Sequence, residues 1–176
     1  GTIGGSSGYM RLAEERVVRS GGTNLELDYY RNTEFRCGLS GNYTFLVINP
    51  NNDPDARAPL WVNFQGGGIG YYNSDGSYEG VRNQTRETHN REKSLRDLMT
   101  VPALKSTLTG GRQLDSAVTR RLREGYRVLI VSYCDHDIYA GQGTPYVNNP
   151  RGGEINGLEA SVAAIKFVGR TYPTTH

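Results

Sequence analysis

The sequence predicts an α/β fold in which helices flank a mostly parallel sheet, and three features indicate it. The continuous apolar run Val128–Val131 is typical of a central strand buried on both faces. Segments 113–123 and 154–168, on either side of that run, carry apolar residues at helical spacing. Two β-branched and aromatic runs, Thr44–Ile48 and Leu60–Phe64, precede them. This order of elements predicts an α/β sheet that the first two strands enter antiparallel.

Length and composition restrict the class of protein. The chain has 176 residues, of which 36% are hydrophobic, and this is enough for one domain with a real core. The formal net charge is +2 with both signs mixed along the chain, so no electrostatic argument favours nucleic acid. No run approaches the ~20 apolar residues of a membrane span.

The N-terminal segment differs from the rest of the chain. Residues 1–8 are rich in Gly and Ser, and residues 9–19 allow a short helix, so we expect residues 1–20 to be flexible or weakly helical. Gly4–Gly8 fits the pattern Gly-x-Ser-x-Gly, but a flexible tail is the favoured interpretation because no strand precedes it. Residues 21–176 are predicted to form the N-terminal half of the folded domain.

Turn and cap residues give the order of the elements. The first strand ends at a Pro- and Asn-rich turn after Ile48, and the second ends at Gln65. Residues 70–93 have a loop composition, and Pro102 interrupts a helical pattern over 94–108. Gly125 ends the helix over 113–123, and Gly169 ends the helix over 154–168.

Two cysteines, Cys37 and Cys134, are too far apart for a zinc or redox motif of the Cys-x-x-Cys type. From the residues alone they are either two buried thiols or one disulfide that closes a long loop.

Three consecutive glycines, Gly66–Gly68, follow the second strand. Glycines at a strand end let backbone N–H groups approach a ligand closely, and acyl-transfer enzymes use such groups to stabilise an oxyanion. A plain flexible loop is the alternative interpretation.

Three segments together resemble one family: Arg36-Cys37-Gly38, Phe64–Gly68 followed by Tyr72-Asn73, and Tyr133-Cys134-x-x-Asp137 through Gly141. In this order they resemble the pectin acetylesterase/Notum-type branch of the serine α/β-hydrolases. The resemblance covers about residues 33–170 and implies an α/β-hydrolase-like fold, incomplete in this chain. The sequence departs from the family after the glycines, where the stretch Ile69–Tyr72 contains no Cys.

The resemblance implies roles for particular residues. It implies that the backbone N–H groups of Gly67 and Gly68 donate to the oxyanion, and that Cys37 and Cys134 form a disulfide. Candidates to line the substrate pocket are Tyr71, Tyr72, Asp137 and Tyr139, with ordinary packing as the alternative for the tyrosines and a turn residue as the alternative for Asp137. The implied activity is hydrolysis of acetyl or acyl esters on a glycan or an acylated polymer, without metal or organic cofactor.

The family's serine elbow, acid and histidine have no counterpart here, so none of the catalytic triad is expected in this chain. The resemblance therefore implies a partner, the C-terminal chain of the same precursor, and a secreted or periplasmic location. Asn83 and Asn42 begin glycosylation sequons. The alternatives are a polyester or amide hydrolase, and a non-catalytic module that binds glycan or lipid.

The histidines are expected to have no catalytic role. His136 lies between two aspartates, which allows a metal site or a general base, but a solvated loop residue is the favoured interpretation. His89 is predicted to lie on the surface, and His176 is assigned no function.

Overall fold

The structure is a computed structural model that describes residues 8–20, 23–39, 41–64, 69–80 and 116–175. Its main sheet has five strands in the order β1-β2-β3-β7-β4. The elements in chain order are β1 (Met10–Ser20), β2 (Thr23–Arg36), β3 (Asn42–Asn49), β4 (Leu60–Phe64), β5 (Gly70–Tyr72), β6 (Tyr78–Gly80), α1 (Ser116–Arg123), β7 (Arg127–Val131), β8 (Thr144–Pro145), β9 (Glu154–Ile155) and α2 (Gly157–Thr171).

The sheet is mixed. Strands β1, β2, β3 and β7 pair antiparallel in succession, whereas β4 pairs parallel with β7. Two parallel strands need a crossover connection, and α1 lies on the connection between β4 and β7. Strands β5 and β6 form a separate hairpin, and β8 and β9 form a second short pair.

The predicted fold class is wrong. Strands account for 41% of the structure and helices for 19%, so the protein is mostly β and not an α/β sheet flanked by helices. The sheet is also not mostly parallel, because β4–β7 is the parallel pair among four pairings of its described strands. The physical reason is that residues 10–36 add two long antiparallel strands to the sheet.

Several element predictions are nevertheless confirmed. The runs at 44–48, 60–64 and 127–133 form β3, β4 and β7. Helix α1 forms over Ser116–Arg123, within the predicted range. Helix α2 is also present, but it spans Gly157–Thr171, so it begins three residues later than predicted and does not end at Gly169. By contrast, the segment predicted as helical at 9–19 is strand β1. The predicted helix over 94–108 lies outside the described residues.

The core lies between the sheet and α2. Phe167 of the helix meets the rings of Tyr30 and Phe45 edge-on, at centroid distances of 5.0 and 5.9 Å. Tyr30 and Phe45 stack on each other across β2 and β3 at 4.9 Å. Such ring pairs add to the free energy gained from burial of their area. The same cluster includes Met10, Val47, Leu129, Val131, Ala164, Val168 and Tyr172.

A buried arginine joins the sheet to the segments beside it. Arg127 is 1% exposed, and its Nε donates to Asn49 Oδ1 at 2.7 Å. Its two terminal nitrogens donate to the carbonyl oxygens of Pro173 and Ala56, each at 2.8 Å. With a fourth hydrogen bond to the carbonyl oxygen of Pro54 at 3.1 Å, the guanidinium donates to four backbone or amide oxygens, so its burial is compensated by hydrogen bonds.

Two acidic residues of β2 are also buried. Asp28 accepts hydrogen bonds from Asn49 Nδ2 at 2.8 Å and from the hydroxyl of Tyr172 at 2.6 Å. Burial, followed by the negative charge of Asp28, raises the pKa of Glu26 to about 8. With Glu15 of β1, the three carboxyl groups lie within 4.8 Å of one another.

Candidate functional site

The candidate site lies where the two parallel strands end. Strand β4 leads into the glycine loop Gln65–Gly68, which lies outside the described residues, and β7 leads into the loop 132–141. The N–H of Gly70 donates to the carbonyl oxygen of His136 at 3.1 Å, so the chain leaving the glycine loop is bound to the second loop. Ligands of sheets with parallel strands bind at this carboxyl edge.

The loop 132–141 is anchored at its start by Asp135, whose side chain is fully buried. Its carboxylate accepts hydrogen bonds from the N–H groups of Gly38 at 2.6 Å and Asn156 at 2.7 Å, and from the hydroxyl of Tyr43. Burial raises the pKa of Asp135 to about 6, although the three donors act in the opposite direction. One carboxylate thus joins this loop to β3, to the segment before β3 and to the start of α2.

A second carboxylate, that of Asp137, fixes the end of the loop. It accepts the N–H groups of Tyr139 at 3.0 Å, Gly141 at 2.9 Å and Gly157 at 2.8 Å. Gly157 is the first residue of α2, so the negative charge of Asp137 lies at the helix end that stabilises it. A Cβ at Gly141 or Gly157 would overlap this carboxylate, which explains glycine at both positions.

The backbone between the two aspartates is strained. His136, Ile138 and Tyr139 have φ values of 53°, 57° and 55°, in the left-handed region that β-branched and bulky residues rarely adopt. Each such residue costs on the order of 1–3 kcal/mol and persists only where its surroundings hold it. The hydrogen bonds that Asp135 and Asp137 accept stabilise this backbone conformation.

Strain of this kind clusters at functional sites. Here it directs apolar side chains to the surface. Ile138 is 66% exposed, and the ring of Tyr139 meets Phe64, the last residue of β4, edge-on at 4.9 Å. Phe64, Ile69 and Tyr71 on either side of the glycine loop are about half exposed as well. These four exposed side chains, Phe64, Ile69, Tyr71 and Ile138, form an apolar rim at the carboxyl edge.

The structure corrects the prediction for His136. The side chain is fully buried, and its ring stacks on Tyr133 at a centroid distance of 4.9 Å. It is therefore not a solvated loop residue. The burial arises because Gly70, which has no side chain, lets the β5–β6 hairpin approach the loop closely. The sequence contains no signal for this contact between distant segments.

The other predicted pocket residues have separate environments. Tyr71 is 54% exposed on β5 and belongs to the rim. Tyr72 packs edge-on against Tyr78 and Tyr146, at 5.0 and 5.1 Å. Tyr139 stacks on Tyr133 at 4.7 Å beneath the rim. The carboxylate of Asp137 accepts hydrogen bonds from backbone N–H groups, so its contacts in the structure position the loop backbone.

The remaining predicted residues divide between described and undescribed segments. Asn42 is the first residue of β3 and is partly exposed. Gly67, Gly68, Asn83, His89 and His176 lie outside the described residues.

The disulfide is confirmed. Cys37 and Cys134, 97 positions apart in the sequence, are bonded to each other, and both are buried. They lie in a second core cluster with Leu39, Tyr43, Tyr146 and Ala160. The disulfide fixes the loop 132–141 at Cys134, one residue before Asp135. It therefore anchors the same part of the loop as the Asp135 carboxylate does.

No family model, curated protein or solved structure matches this chain. No described helix has the length and apolar character that crossing a membrane requires.

Proposed function

We propose that the protein is part of a serine carboxylic-ester hydrolase that acts on acetyl or acyl esters of a glycan or an acylated polymer. One observation carries the proposal: the hydrogen bond from Gly70 to His136 brings the chain that leaves the glycine loop against the strained loop 132–141. A glycine-rich sequence that continues into a segment bound to a strained, well-anchored loop suits the stabilisation of a developing negative charge.

In the proposed mechanism a serine hydroxyl attacks the ester carbonyl carbon, and its proton passes to a histidine. The N–H groups of Gly67 and Gly68 donate to the oxyanion that forms. The alcohol leaves with the proton, and water then attacks the acyl-enzyme and releases the acid. The serine, its acid and its histidine belong, in this proposal, to the C-terminal polypeptide of the same precursor.

The proposed location is extracellular or periplasmic. The buried disulfide between Cys37 and Cys134 supports it, because such bonds persist in oxidising compartments.

The test compares two substitutions at one position. Gly67→Pro removes the backbone N–H, whereas Gly67→Ala keeps it. With p-nitrophenyl acetate and the complete precursor polypeptide, we expect Gly67→Pro to lower kcat about 100-fold or more, with a much smaller loss for Gly67→Ala. Gly169→Ala, a change on α2 with open space around it, is the control and should not alter kcat. Equal activity of the Pro and Ala variants would refute the donor role.

The rim favours a second candidate, a non-catalytic module that binds glycan or lipid. Exposed aromatic and aliphatic side chains such as Phe64, Tyr71 and Ile138 are typical of binding surfaces. A fluorophosphonate that reacts with activated serines separates the two candidates, because a binding module would stay unlabelled while still retaining an acylated glycan or lipid.

A further inference from the structure

Strand β4 has the composition of an interior strand, although it lies at one edge of the main sheet. Its sequence Leu-Trp-Val-Asn-Phe has no charged residue, and every one of its side chains is at least partly exposed. Its neighbour β7 is buried along its whole length. The opposite edge strand, β1, carries exposed charges at Arg11 and Glu15, as edge strands do to prevent further pairing.

The backbone of β4 offers a row of hydrogen-bonding groups on its outer side. The N–H of Arg127 in β7 donates to the carbonyl oxygen of Pro59, so residue 59 faces β7. Because strand residues alternate in direction, the N–H and C=O groups of Leu60, Val62 and Phe64 point away from β7. Within the described ranges, no second strand pairs with β4 on this outer side along Leu60–Phe64.

Two positions before Leu60, the outer side already has a partner. Ala58 donates its N–H to the carbonyl oxygen of Pro173 at 3.3 Å and accepts the N–H of Thr175 at 3.1 Å. These two bonds form a parallel bridge between Ala58 and Thr174. The backbone leaving α2 therefore enters the sheet beside β4 and runs in the same direction as β4.

We propose that the outer edge of β4 is an assembly surface for a parallel, apolar β-strand that continues the backbone of Pro173–Thr175. The Ala58–Thr174 bridge sets the register, and the groups of Leu60, Val62 and Phe64 supply the next hydrogen bonds. The strand is apolar because its neighbours on the sheet, Leu60 and Val62, pack against the same core as α2. The inference does not depend on ester hydrolysis.

Amide hydrogen exchange measured by NMR tests the proposal. In the 176-residue chain, the outward amides of Val62 and Phe64 should exchange roughly 100-fold or more faster than the inward amides of Trp61 and Asn63. A model strand of sequence Val-Ile-Val-Thr-Val, joined after His176, should slow the outward amides to the rate of the inward ones. The inward amides report in every sample that the sheet is folded.

A matched extension, Pro-Ile-Pro-Thr-Pro, places proline at the three positions whose N–H groups would donate to the carbonyl oxygens of Leu60, Val62 and Phe64, so it cannot form the full ladder and should leave the outward amides fast. Two results would overturn the proposal. One is that the outward amides are already protected in the unextended chain, because another segment or a second copy then covers the edge. The other is that the Val-Ile-Val-Thr-Val extension leaves them as fast as the proline extension does.

Discussion

Removal of the Asp135 carboxylate should destabilise the protein strongly, because three donors depend on it. In Asp135→Ala, the buried N–H groups of Gly38 and Asn156 and the hydroxyl of Tyr43 lose their acceptor. Each unsatisfied buried donor costs about 1–3 kcal/mol, and relaxation of the loop recovers part of the sum. We expect a loss of about 4 kcal/mol in the free energy of unfolding.

Asp135→Asn should cost less, about 2 kcal/mol, because the amide oxygen still accepts one of the bonds while its NH₂ group opposes a donor. The assay is urea unfolding at pH 7 followed by tyrosine fluorescence. With a slope of about 2 kcal/mol per molar urea, the midpoint should fall by about 2 M in the Ala variant and about 1 M in the Asn variant.

Asp55→Ala serves as the control, since Asp55 is exposed and should leave the midpoint unchanged. If Asp135→Ala unfolded within 0.5 M (roughly 1 kcal/mol) of the unsubstituted protein, the carboxylate would not be the anchor of the loop.

Three further predictions concern the pH dependence, the packing and the disulfide. Because the pKa of Glu26 rises from 4.5 to about 8 on folding, the folded state binds more protons, and stability should fall as pH rises between these values. The full shift corresponds to roughly 5 kcal/mol, and we expect at least about 2 kcal/mol of it in urea unfolding at pH 8.5 against pH 4.5, since Glu26 titrates together with Asp28. Glu26→Gln should remove most of that fall, and an unchanged fall would contradict the prediction. Gly141→Ala should lower the thermal midpoint by several degrees, because its Cβ meets the Ile155 backbone, whereas Gly169→Ala should raise it slightly; equal effects would disprove the packing argument. Joint replacement of Cys37 and Cys134 by Ala should cost about 4 kcal/mol in the same unfolding assay, and a cost below about 1 kcal/mol would exclude a stabilising crosslink.

The elements that could be predicted are those whose pattern is local. The apolar runs of β3, β4 and β7 and the amphipathic spacing of α2 each carry their own signal. Strand β2 was missed because Glu26 and Asp28 interrupt its apolar pattern. Both are nevertheless buried, and one of the two side chains that donate to Asp28 is that of Tyr172, 144 positions away in the sequence. The fold class was therefore wrong where long-range hydrogen bonds decide the structure.

The candidate site, like the fold, could be predicted only where its pattern is local in the sequence. The glycine run and the segment around Asp137 are visible in the sequence, and the disulfide followed from the resemblance. The burial of His136 depends on the close approach of Gly70, and the left-handed backbone at Ile138 depends on the hydrogen bonds to Asp137 and Asp135. The burial of His136 has no local signal, because it arises from a contact between segments far apart in the chain. The backbone at Ile138 depends partly on the local bond from Tyr139 to Asp137 and partly on the bonds that join Asp135 to Gly38 and Asn156, which are distant in sequence.

The central claim is that the glycine loop donates backbone N–H groups to an oxyanion. The most direct measurement is the amide proton shift of Gly67 and Gly68 when the complete protein reacts with a fluorophosphonate, whose bound phosphoryl oxygen occupies the oxyanion position. We predict a covalent adduct on a serine and a downfield shift of both amides. An adduct that leaves both amides unmoved, or no adduct at all, would contradict it.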